Sequence, residues 1–207
     1  MKVKLLSITP NAEKIIENAG RTSYQSYEKQ TANSYKGFIK MLVKRGHGSV
    51  LEHAYASFRI SGVSRALTHQ LVRHRMASFT QKSQRYVNES NFNYIEPDDI
   101  KNDKNAHELY TNFMENIRTH YKQLRDLGIK KEDARFILPN ATESELVLTA
   151  NFRELRHMIQ LRGEKAAQWE IRRLVIKMLK ILKEKVPSVF QDMEIDEENE
   201  VITIKKL

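Results

Sequence analysis

Residues 73–86, "RHRMASFTQKSQRY", hold three arginines, a histidine, a lysine, two serines, a threonine and two glutamines without a single acid. Guanidinium forks match phosphates and carboxylates bidentately, while amides and hydroxyls read the edges of a heterocycle. The mixture suits a nucleotide better than a bare phosphate. A solvated basic face is the plainer alternative, but such faces are usually lysine and glutamate on a helix, and this stretch has one lysine. Ser83 has no base and orienting partner beside it in sequence, so it is expected to hydrogen-bond rather than to attack. A second set lies in "NFRELRHMIQLRG", where Arg153 and His157 form an i, i+4 pair opposite Phe152, Leu155 and Ile159, with Asn151 and Arg162 at either end. Spacing alone favours an exposed helix side there, with Glu154 pairing along the surface to His157 or Arg156.

Other chemistries are disfavoured. The chain has no cysteine, which removes disulfides, thiolate metal sites, iron–sulfur clusters and a cysteine nucleophile together. His47, Glu52 and His53 in "RGHGSVLEH" lack HExxH spacing, so no metal site is expected. The seven glycines form neither GxGxxG nor GxxxxGK[ST], and no GxSxG elbow occurs. A net charge of +9 attracts anions without choosing among them. No apolar run reaches membrane-spanning length and the start lacks a secretory signal, which predicts a cytoplasmic protein off the membrane.

The elements that must position these groups follow from periodicity. A length of 207 residues with 40% hydrophobic content predicts one folded domain, residues 1–207. A strand over residues 2–8 precedes a helix carrying Ala12, Ile15, Ile16 and Ala19 and ending near Gly20. Tyr35, Phe38, Ile39, Leu42 and Val43 mark a second helix stopped by Gly46 and Gly48. "HAYASFRISG" alternates as a strand. Ser64 is placed to cap a helix that turns Leu67 and Leu71 inward and gathers Gln70, Arg73 and His74 on another flank, after which residues 73–86 run into a loop. Residues 88–105 read as surface loop. Leu109, Phe113, Ile117, Tyr121 and Leu124 stripe a long helix closed by Gly128, and a shorter helix ends at Pro139. A strand leads into the helix of "FRELRHMIQLRG", a last helix spans about residues 166–185, and "EVITIKKL" alternates as an edge strand. The expected class is α/β of the α+β type, helices packed on a small, mostly antiparallel sheet.

Residues 73–86 resemble the RHRxxSxxxxSxRY motif of the flavin-dependent thymidylate synthases, with Arg73, His74, Arg75, Ser78, Ser83, Arg85 and Tyr86 all matching. "GHGSVLEH" is similar to the family's GHxSxxEH segment, "DARFILP" to its ARxxLP segment, and "NFRELRHMIQLR" with "AAQWEIR" to its NxRxxxxxxxLR and AQxEIR segments, in the same order. One departure is Thr80-Gln81, where many members carry Asn-Glu. The resemblance implies a homotetramer with FAD sites shared between subunits. It also implies conversion of dUMP, 5,10-methylenetetrahydrofolate and NADPH to dTMP, tetrahydrofolate and NADP⁺. Carried over by resemblance, Ser49, Arg73, His74, Arg75, Gln81, Asn151, Arg153 and His157 contact FAD. By the same carry-over Gln70, Arg73, Gln81, Lys82, Ser83, Arg85, Arg135 and Arg162 hold dUMP, and Arg162 is the catalytic residue that stabilises charge developing on the pyrimidine.

The absence of cysteine agrees with this, because a chain with no thiolate cannot activate uracil by thiol addition and must draw its chemistry from a cofactor. A nucleic-acid-binding module is the main alternative for an arginine-rich chain. The basic residues, however, do not interleave with aromatics in an RRM, KH or helix-turn-helix pattern, so no nucleic-acid partner is expected. A nucleotide-binding relic without turnover is the third reading, motivated by Thr80-Gln81.

Overall fold

The alternation in "KVKLLSI" forms strand β1 (Lys2–Ile8) in the computed structural model, which describes residues 1–205. Helix α1 (Ala12–Tyr24) follows and runs through Gly20 instead of ending there. A Cβ at Gly20 would lie 2.5 Å from Cε1 of Phe38 on helix α2 (Ser34–Lys44), so this glycine permits close helix approach and is not a terminator. Gly46, with φ +72°, takes the left-handed turn that ends α2. Strand β2 (Tyr55–Ser64) buries Ala56, Phe58 and Ile60 in alternation.

Ser64 caps helix α3 (Arg65–Leu71) as expected, its Oγ accepting the Leu67 N–H at 3.0 Å. The helix stops at Leu71. Arg73 and His74 therefore lie beyond it and share no helical flank with Gln70, and residues 77–81 form strand β3 (Ala77–Gln81) where a loop was expected. The polar stretch after residue 88 contains helix α4 (Asp98–Asn102) and a buried Phe92. Asp103 caps helix α5 (Lys104–Asp126) by accepting the Ala106 N–H at 2.9 Å. Its buried side chains are Met114 and Tyr121, whereas Leu109 and Phe113, expected inward, are 74% and 59% exposed. Helix α6 (Lys131–Ala134) and a 3-10 turn (Arg135–Ile137) precede strand β4 (Glu143–Asn151). Helices α7 (Phe152–Gly163) and α8 (Trp169–Lys185) pack on each other, and the chain closes in an antiparallel hairpin of β5 (Met193–Asp196) and β6 (Val201–Ile204). The tail strand is thus half of a hairpin whose first strand had no sequence signal, and residues 206–207 lie outside the described residues.

The main sheet has the order β1-β2-β4-β3. β2 and β4 run antiparallel: the Phe152 N–H meets the Ala54 carbonyl at 2.9 Å at one end, and the Arg65 N–H meets the Thr142 carbonyl at 3.0 Å at the other. This is the expected mixture of helices and sheet. By their contacts the residues group into two compact units, one of Met1–Lys2, Ile60–Gln70 and Thr80–Leu146, the other of Val3–Arg59, Leu71–Phe79 and the chain from Val147 onward. The first buries Val63, Leu67, Phe92 and Tyr121; the second buries Ile16, Ile39, Phe58, Phe152, Leu155 and Leu174.

In the second unit the end of α7 lies against β6. A Cβ added to Gly163 would sit 2.7 Å from the Ile202 Cβ, an atom tied to its backbone and unable to swing away. Gly163→Ala is therefore expected to cost about 1–3 kcal/mol, the usual penalty for overpacking. Urea denaturation reads this directly, and an unchanged midpoint would show that the hairpin yields.

Candidate active site

Helix α7 organises the second unit's polar residues. Asn151 is its N-cap, with Oδ1 accepting the Glu154 N–H at 2.9 Å, so Arg153, Glu154 and His157 occupy the first turns and Arg162 the last. Glu154 does not pair along the surface with His157 or Arg156, as spacing suggested. It is 8% exposed and reaches Nδ1 of His74 at 3.0 Å. Arg156 turns elsewhere and forks onto Asp192, with Nη–Oδ distances of 2.7 and 2.6 Å. The reason is burial: the fold encloses the Glu154 carboxylate, and a carboxylate taken out of water needs a partner in the interior.

His74 is itself 5% exposed, and its second nitrogen, Nε2, accepts from the Arg162 Nε–H at 3.1 Å. The His157 ring meets it edge-on, with centroids 5.8 Å apart. Arg73, Arg75, Met76, His157, Leu161 and Arg162 line a pocket over this group. Asn151, Arg153 and Glu52 line a second pocket with His157, and Arg153 is paired to Glu52. Ser49 and Arg153 share a third pocket beside His47.

Electrostatics define what this unit attracts. Burial, reinforced by the Arg162 cation and opposed by Glu154, holds the His74 imidazole below its ordinary value near 6.5. With the folded-state value depressed, the stability contributed by the neutral ring is present above the ordinary value and lost as pH falls through the folded-state one. Burial and then Arg73 lower the Arg162 guanidinium, which remains a cation. Ligand atoms of His74, Glu154 and His157 lie within 4.8 Å of one another, but Arg162 bonded to His74 makes the place hostile to a metal ion. Anions fit.

In the first unit, Gln81 at the end of β3 donates from Nε2 to Thr68 Oγ1 and Ser144 Oγ, both at 2.9 Å. The Thr68 hydroxyl already gives its proton to the Arg65 carbonyl at 3.0 Å, so it can only accept. An amide therefore fits where a carboxylate would leave acceptor facing acceptor. Lys82 meets the buried Glu89 at 2.8 Å. Glu132 joins two more of the expected residues: Arg85 Nε donates to its carboxylate at 3.1 Å, and Arg135 Nε donates to its carbonyl at 3.0 Å. Ser83 Oγ accepts the Arg85 N–H at 3.3 Å, and Gln70 is half-buried on α3. The acid-free run is consequently not acid-free in space, since Glu89 and Glu132 come to it from other segments.

A family model described as thymidylate synthase complementing protein matches residues 4–188. The chain belongs to the flavin-dependent thymidylate synthases. The flavin-dependent thymidylate synthase of Geobacter sulfurreducens is 41% identical over 200 residues, covering 93% of this chain and 86% of the relative. That of Pyrococcus abyssi is 42% identical over 189 residues, covering 86% and 78%. Among solved structures, thymidylate synthase X from Helicobacter pylori with FAD and dUMP is similar at TM-score 0.80 and 26% identity, over 93% of this chain and 98% of that one. The family resemblance read from residues 73–86 is thus shown across the chain.

Within this flavin-dependent thymidylate synthase fold, the residues that sequence reasoning left out are the acids. Glu154 is the clearest, because the helix-start pattern Asn151 to Glu154 reads as a capping signal and gives no hint of His74. Thr68 and Ser144 carried no signal at all.

Proposed function

We propose that this chain is an FAD-dependent thymidylate synthase that makes dTMP from dUMP, with 5,10-methylenetetrahydrofolate as carbon donor and NADPH as the source of electrons. The observation that carries this reading is the arginine-lined, metal-averse pocket over His74 and Arg162 in a chain that is a family member over residues 4–188. The donor set fits the cofactor: the guanidinium groups of Arg73, Arg75 and Arg153 suit a diphosphate, while Ser49, Asn151 and His157 offer hydroxyl, amide and imidazole edges. His74, with both ring nitrogens engaged, lies beneath them and offers only ring contact. Gln81 is assigned to both FAD and dUMP. When bound and reduced, FAD supplies hydride to the transferred one-carbon unit.

The chain's own part is binding, orientation and charge. Gln70, Arg73, Gln81, Lys82, Ser83, Arg85 and Arg135 hold dUMP, their charged and hydroxyl groups facing phosphate and sugar. Arg162 places its fork against the pyrimidine and stabilises negative charge at N3 and O2, which makes C5 nucleophilic without a thiol. The net conversion consumes dUMP, methylenetetrahydrofolate, NADPH and a proton and yields dTMP, tetrahydrofolate and NADP⁺.

The functional domain spans residues 1–207, and it works in the cytoplasm as a homotetramer whose subunits share sites. Assembly has a physical motive in Leu109, Leu127 and Phe136, which are 74%, 78% and 81% exposed, a large apolar display for an isolated chain. No helix among the described residues is long and apolar enough to cross a membrane.

The test is an anaerobic single turnover: reduce the flavin of the purified yellow protein, add dUMP and methylenetetrahydrofolate, and assay dTMP with flavin reoxidation. dTMP formation is the expected result. A colourless protein with salt-sensitive oligonucleotide binding would overturn the reading, and bound flavin without dTMP would reduce it to a nucleotide-binding relic.

A further inference from the structure

Arginine carries only hydrogen-bond donors, so the 3.1 Å bond from Arg162 Nε to His74 Nε2 requires a lone pair on that imidazole nitrogen. The ring is then neutral and its one proton resides on Nδ1. Nδ1 faces Glu154 Oε1 at 3.0 Å, and a carboxylate only accepts, so the chain of donors runs in one direction from Arg162 through His74 and, at the far nitrogen, from His74 to Glu154. Burial supports the same protonation, since His74 and Glu154 are 5% and 8% exposed and the ring is held below its ordinary value. Position supports it too. A glutamate three residues past an asparagine cap commonly folds back to close a reciprocal cap, yet Asn151 caps Glu154 while the Glu154 carboxylate goes to His74.

We propose that Glu154 is a positioning residue that acts through His74, fixing the imidazole as the Nδ1–H tautomer so that Nε2 anchors Nε–H of Arg162 and aims its guanidinium. What the guanidinium acts on rests on the thymidylate synthase reading; the relay itself does not. Without the carboxylate, the imidazole is free to take its intrinsically preferred Nε2–H form, which sets donor against donor and displaces Arg162. Protonation of His74 does the same. The groups acting on the ring are Glu154, Arg162 and His157 from α7, while Arg73 and Arg75 of its own segment line the pocket over it and add positive charge nearby. Turnover should therefore fall on the acid side as pH drops through the depressed His74 value.

The experiment compares wild type, Glu154→Gln and Glu154→Leu by ¹⁵N NMR of the histidine nitrogens, by flavin spectrum and by dTMP formation against pH. Wild type is expected to show the proton on Nδ1. Glu154→Gln keeps an acceptor oxygen, so tautomer and bound FAD should persist. Its acid limb should move to lower pH, because the charge that raised the His74 value is gone. Glu154→Leu should move the proton to Nε2 and slow dTMP formation about 10- to 100-fold with FAD still bound, the scale of a small misplacement of a reacting group. An Nε2–H tautomer in wild type, an unmoved acid limb in Glu154→Gln, or a Glu154→Leu protein with wild-type tautomer and rate each overturns the relay. A wild type with the Nδ1–H tautomer but no dTMP would instead sink the enzymatic reading and leave the relay supported.

Discussion

Arg162→Ala is expected to lower dTMP formation about 100- to 1000-fold, the usual loss when one preorganised donor to developing charge is removed. FAD should remain bound, because the side chains assigned to it, Arg73, Arg75 and Arg153 among them, are untouched. The size of the effect follows from what holds the guanidinium: Nε is committed to His74, which fixes the group before any charge develops. Arg162→Lys should be nearly as poor, since an ammonium offers neither the fork toward a pyrimidine nor an Nε–H for His74. Single-turnover product and the flavin spectrum, measured on the same samples, separate chemistry from cofactor retention. Near-normal dTMP from the alanine variant would remove Arg162 from the mechanism.

The largest expected effect on stability lies one helical turn away from the active face. Arg156→Met should cost about 3–5 kcal/mol, because it leaves the carboxylate of Asp192 buried and unpaired. The side chains of this pair are 16% and 5% exposed, and both guanidinium Nη atoms engage Asp192. Arg156 also donates to the Val189 carbonyl and lies 6.0 Å from the Phe190 ring, so it fastens α7 to the segment that follows α8. Joining Arg156→Met to Asp192→Leu should recover much of the loss, since two apolar groups leave no orphaned charge. Urea midpoints across this double-mutant cycle decide the matter; a loss below about 1 kcal/mol in the single variant would mean that water screens the pair. Because Glu154 and Arg162 ride on the same helix, partial melting of this clamp should also broaden the His74 signals.

Much of this could be read from the chain itself. β1 has the expected bounds, Ser64 caps α3, and the stripes of α7 and α8 point inward. These features are encoded within a few residues of themselves, by periodicity and by side chains that bond their own backbone. Residues 73–86, with the segments around Ser49, Arg135, Asn151 and Arg162, sufficed to place the chain in its family, since a motif of fixed types at fixed spacing is a property of sequence. The same local logic misjudged Gly20 as a stop, because the Phe38 ring against it comes from another helix. It also turned Leu109 and Phe113 inward, where amphipathic spacing cannot say which apolar face the folded chain covers.

Charge pairing is where the sequence ran out. Glu154 meets His74 from 80 positions away, Glu132 meets Arg85 from 47, and Asp192 meets Arg156 from 36. No local rule anticipates such partners, because an ion pair depends on distance in space and on how far burial strips water from both groups. Sequence by itself determined the residue types available for chemistry, the absence of a thiol and the family they announce. Only the tertiary structure decided which acid faces which base, and so which nitrogen of His74 bears the proton and where Arg162 is held.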